Sequence, residues 1–84
     1  MNSKHRKTLE AIFAKPTTSN LEWRSIESLL LAVDCRLVEG RGSRVRFVLG
    51  QQIGTFHRPH PAKEAKPYQV DDARDFLISI GIEP

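Results

Sequence analysis

The apolar residues of this 84-residue chain change their period at Asp34, and that switch limits the fold more than any other feature. Before it, Trp23, Ile26, Leu29, Leu30 and Val33 recur every three or four positions, the stripe of an amphipathic helix over roughly residues 21–34. Ser19 and Glu22 have the spacing of a capping box at its start. After Asp34, "CRLVE" and "SRVRFVL" are β-prone segments separated by the turn signal "GRG". In the second of them Val45, Phe47 and Leu49 point one way, while Arg44 and Arg46 point the other. "GQQ" makes the next turn, and "IGTFHR" is a third strand stopped by Pro59 and Pro61.

Two further stripes complete the pattern. Leu9, Ile12 and Phe13 predict a helix over roughly 3–14 that ends before Pro16, and "PTTSN" connects it to the next. Beyond the polar loop "AKEAKP", residues Val70, Ala73, Phe76, Leu77 and Ile80 predict a last helix starting near Val70, with Gly81 at its C′ position. The expected fold is α+β: a three-stranded antiparallel sheet with helices packed on one face and a basic, wet opposite face. The chain reads as a single domain over 1–84, with a helical extension and connector over 1–18 and the core over 19–84.

A chain this short supports one modest core. Its single cysteine, Cys35, has no internal partner and reads as a small core residue. No apolar run approaches a membrane span, and "MNSKHRKTLE" lacks the apolar stretch of a signal peptide, so a cytoplasmic protein with no membrane partner is expected. The net charge of +3 decides nothing, but its distribution is uneven. Residues 36–66 carry Arg36, Arg41, Arg44, Arg46, Arg58, Lys63 and Lys66 against Glu39 and Glu64, a net +5, and acidic segments flank them. Such a layout suits a positive face for nucleic acid, and it also suits an ordinary solvated surface.

The chemistry concentrates between Gly40 and Pro61, which hold four arginines and two of the three histidines. His57 and His60 are three apart in a proline-broken segment with no third ligand in view, which argues against a metal site. Ser43 lacks the surroundings of a hydrolase nucleophile. RNA cleavage asks for less, because ribose supplies its own nucleophile. A histidine titrating near neutrality moves the protons, and arginine steadies the charge on phosphorus. The same histidines could instead bond loop carbonyls, and the arginines could bind phosphate without cutting. Phe56 reads as core, and Phe47 is the only other ring in the basic stretch, so shape and phosphate recognition are favoured over base stacking. His5 reads as a solvated helix residue.

The order "WRSIESLLLAVDCRLVEGRGSRVRFVLGQQIGTFHRPHPAKE…VDDARDFLISIGI" resembles the HicA family of toxin–antitoxin RNases. The resemblance runs from about Glu22 to Ile82 and rests on a "GS-H-x-x-F" strand, a "P-x-H"-type element after the third strand and a closing helix ending near "GI". Ser43 and Phe47 match the strand, and His60 with Pro61 matches the later element. It implies a double-stranded-RNA-binding-domain-like fold and an mRNA interferase that needs no cofactor and is silenced by a HicB-type antitoxin. One departure stands out. The family's catalytic histidine falls at position 44, where this chain has Arg44, which stays protonated and is a poor general base.

Three readings follow. In the first, an RNase has moved its proton chemistry to His57 or His60, with Arg44 and Arg46 on the phosphate. In the second, a non-catalytic RNA-binding domain contacts phosphates through Ser43, Arg44, Arg46, Arg58 and Lys63. In the third, the basic face meets only an acidic protein partner.

Overall fold

A computed structural model describes all residues, Met1–Pro84. The order is α1 (Ser3–Phe13), α2 (Trp23–Ala32), β1 (Arg36–Glu39), β2 (Arg44–Leu49), β3 (Gln52–His57) and α3 (Pro67–Ser79). The strands form an antiparallel sheet in the order β1-β2-β3. Thus the α+β architecture with a three-stranded sheet and an added N-terminal helix is as the sequence predicts.

The alternation in β2 sets the layers. Val45 and Phe47 lie fully buried against α2 and α3, joined by Phe56 of β3 and by Ile26, Leu29, Leu30, Val70 and Leu77 from the helices. Gly54 of β3 lets α3 come close: a Cβ there would stand 2.9 Å from Cδ1 of Phe76. The β2–β3 hairpin turns at Gly50 and Gln51, with Gly50 at φ 60°, the first central position of a type II′ turn. This two-residue loop fixes the register Leu49↔Gln52 and hence every pair up to Arg44↔His57.

The ends of two helices differ from expectation. α2 has no capping box: Glu22 is its N-cap without a side-chain bond, and Ser19 lies outside the helix. The cause is pairing elsewhere. Glu22 bridges Glu64, Ala65 N–H donates to Leu21 O and Trp23 N–H donates to Lys63 O, so the chain stays extended until Trp23. Conversely α3 begins a turn earlier than Val70, because Pro67 opens it and the Gln69 side chain accepts from Lys66 N–H at 2.9 Å. Its other end is as predicted. Gly81, at φ 81°, donates to Ile78 O while Ile82 N–H donates to Leu77 O, the two bonds of a Schellman motif.

α1 rests on α2 and α3. His5 is not a free surface residue, since its Nε2 lies 2.8 Å from Ser28 Oγ of α2. Arg74 of α3 donates from Nε to the Ile12 carbonyl at 3.0 Å. No helix is long and apolar enough to cross a membrane.

Candidate nucleic-acid interface

The sheet face turned away from the helices carries Arg36 and Val38 of β1, Arg44, Arg46 and Val48 of β2, and Ile53, Thr55 and His57 of β3. Three arginines and a histidine therefore share one open face. Arg58 N–H donates to Ser43 O, so by antiparallel alternation the next pair, Arg44↔His57, is a non-hydrogen-bonded one. Such pairs bring opposite side chains closest. His57 is thus the cross-strand neighbour of Arg44. Its Nδ1 lies 3.5 Å from Ser43 Oγ, the outer limit of a hydrogen bond, and Nε2 has no protein partner.

At this end of the sheet lies a shallow concavity of about 200 Å³, lined by Ser43, His57, Arg58, Pro59, His60, Lys66, Tyr68 and Gln69. The two candidate histidines meet there, beside a lysine. Gln69, buried within the first turn of α3, donates from Nε2 to the His57 carbonyl at 2.6 Å. That bond ties the end of β3 to the start of α3. Sequence reasoning missed Lys66, Tyr68 and Gln69; Pro67 as a first-position signal would have brought the helix start, and these residues, to this corner.

Two of the expected phosphate contacts are placed differently. Arg58 is bound internally: its Nε donates to Glu27 Oε1 at 2.6 Å, and Nη1 donates to Glu39 Oε1 at 2.8 Å. The hydrogen bond to Glu27, then that to Glu39, raises its pKa above the ordinary arginine value. Glu27 Oε1 also accepts from the Trp23 indole at 2.7 Å, so this carboxylate joins α2 to the sheet end. Lys63 lies in the adjoining groove, with Glu22, Trp23 and Arg24, which shares Arg58 and Pro59 with the concavity. Phe47 and Phe56 are core residues, 6.1 Å apart edge to face. No three of the His, Cys, Asp and Glu side chains converge as a metal ion would need.

Set apart from α1, the helix–three strands–helix order with one covered and one open sheet face is that of a double-stranded-RNA-binding-domain-like fold. The family model "HicA toxin of bacterial toxin-antitoxin" matches residues 23–81, from the first residue of α2 to the glycine that ends α3. The chain belongs to this HicA toxin family, with α1 lying outside the matched span. No curated protein and no solved structure matches it.

Proposed function

We propose that the protein is a metal-independent mRNA endoribonuclease, the toxin of a type II toxin–antitoxin pair, and that its general base is His57. The observation that carries this reading is the pairing of His57 with Arg44. The position at which the family resemblance implies a catalytic histidine is occupied by arginine, and a histidine stands directly across the sheet from it. The imidazole has moved one strand sideways while facing the same solvent. His57 Nε2 takes the proton of a ribose 2′-OH, and the freed oxygen attacks the adjacent phosphorus. Arg44 stabilises the charge gathering on the phosphoryl oxygens. The P–O5′ bond then breaks, and His60, as imidazolium, protonates O5′ to leave a 2′,3′-cyclic phosphate. A HicB-type antitoxin that covers the arginine face would block all of these groups together.

The test is incubation with single-stranded RNA in excess EDTA, beside folded His57→Ala and His60→Ala variants. Cleavage by the parent that falls at least a hundredfold in His57→Ala supports the reading, in the range general base catalysis contributes. RNA binding without cleavage by the parent leaves a non-catalytic RNA-binding domain. Neither binding nor cutting leaves a protein-binding module.

A further inference from the structure

Resting on that reading of the site, we infer that Tyr68 is a stacking platform for one unpaired nucleobase, which makes single-stranded rather than duplex RNA the ligand of this corner. Five of the chain's six aromatic rings are committed elsewhere. Trp23, Phe47, Phe56 and Phe76 are buried in the core and Phe13 packs against it. Tyr68 alone stands mostly in water, 56% exposed. It borders the concavity that holds His57, His60, Ser43 and Lys66.

The backbone that carries the ring is held in place. Tyr68 sits in the first turn of α3, directly after Pro67, whose ring fixes φ. The next residue, Gln69, is 3% exposed, and its side chain is used at both ends. Oε1 accepts from Lys66 N–H at 2.9 Å, and Nε2 donates to His57 O at 2.6 Å. The residues before and after Tyr68 are thereby tied to each other and to the strand bearing His57. A segment fixed in this way does not have to be ordered on binding.

Its neighbours define the ligand. A base lying on the phenol face needs a cation for its phosphate, and exposed Lys66 is two residues away on the same rim. Base–aromatic stacking accepts any base, because every base has a π-face. It does not accept a paired one, since in an A-form duplex both faces of each base are already stacked. Recognition here accordingly differs from the shape readout that the double-stranded-RNA-binding-domain-like topology would suggest.

The experiment measures binding by fluorescence anisotropy with a single-stranded RNA carrying 2′-O-methyl groups, which removes the nucleophile, and with the same strand annealed to its complement. Tyr68→Ala, Tyr68→Leu and Tyr68→Phe are compared with the parent, all checked for an unchanged melting temperature. Loss of one stacked base weakens single-strand binding about tenfold in Tyr68→Ala and Tyr68→Leu, and Tyr68→Phe binds like the parent. The duplex binds equally to all four proteins. Single-strand binding that is unaffected by Tyr68→Ala overturns the platform while leaving the RNA reading intact. A loss in Tyr68→Phe equal to that in Tyr68→Ala overturns it too, because the hydroxyl would then be the contact. No binding of either RNA by the parent overturns the RNA reading and the platform with it.

Discussion

At Gly54 a missing side chain sets the distance between two layers. Its Cα faces Phe76 of α3, and an added methyl would approach Cδ1 of that ring to 2.9 Å and Cε2 of Phe56 to 3.0 Å. Both rings are buried, so neither can swing into water to make room. Gly54→Ala therefore forces α3 away from β3 and destabilises the fold by about 1–3 kcal/mol, the usual cost of overpacking. Urea denaturation checks this through a lower midpoint at an unchanged slope. An unchanged midpoint would mean that the helix yields without loss of packing. Arg58 makes the complementary point about charge. In the sequence it is one cation in a basic run, and nothing local marks it as different from Arg44 or Arg46. Its fate is decided by Glu27 and Glu39, 31 and 19 positions away, which become neighbours only when α2 and β1 have packed. A pattern rule reads the near sequence, so the ion-paired arginine and the solvent-facing ones look alike.

At the scale of elements, the strands were legible because their alternation is local, and the start of α1 was too, while the starts of α2 and α3 were not. Val45, Phe47 and the outward Arg44 and Arg46 follow from a period of two. The start of α2 depends instead on the extended pairing of residues 21–23 with 63–65, and the start of α3 depends on a glutamine reaching across to β3. The open arginine face was therefore foreseen, whereas the corner of Lys66, Tyr68 and Gln69 was not. α3 also carries an electrostatic cost. The Asp72 carboxyl has a pKa above the ordinary aspartate value, first through burial and then through Asp75 and Asp71. The folded chain consequently holds this proton at a pH where the unfolded chain has lost it. Stability falls as pH rises from the ordinary aspartate value through the raised one, and above that the loss is complete. Asp72 is an exposed residue, and Asp72→Asn removes the partial desolvation of its charge and the repulsion together. Thermal melts between pH 3 and pH 7 should show the variant melting higher than the parent at pH 7, with the gap closing in acid. A variant that melts lower at pH 7 would show that the carboxylate is stabilising.

Over the whole molecule, folding sorts the charges into those that neutralise one another and those left facing solvent. Arg58 and Arg74 are paired with Glu27, Glu39 and Asp71 of the same chain. Lys63 lines an adjoining groove that shares Arg58 and Pro59 with the α3 corner. What the sheet and the α3 corner leave exposed on one side is Arg36, Arg44, Arg46 and Lys66, none of them in a salt bridge. If these four are the phosphate contacts of a single strand, each releases its share of condensed counterions on binding. The logarithm of affinity should then fall against the logarithm of salt with a slope of about −3. Arg44→Gln with Arg46→Gln should lower the slope to about −1.5, because two contacts remain. Arg58→Gln should leave the slope where it was, since that guanidinium is already held by two carboxylates, although the protein should unfold more easily. Titration of 2′-O-methyl RNA across a range of potassium chloride concentrations separates these effects. A slope that falls in Arg58→Gln and is unchanged in the double sheet variant would place the ligand on the Arg58 side of the sheet end and take the open face out of the interface.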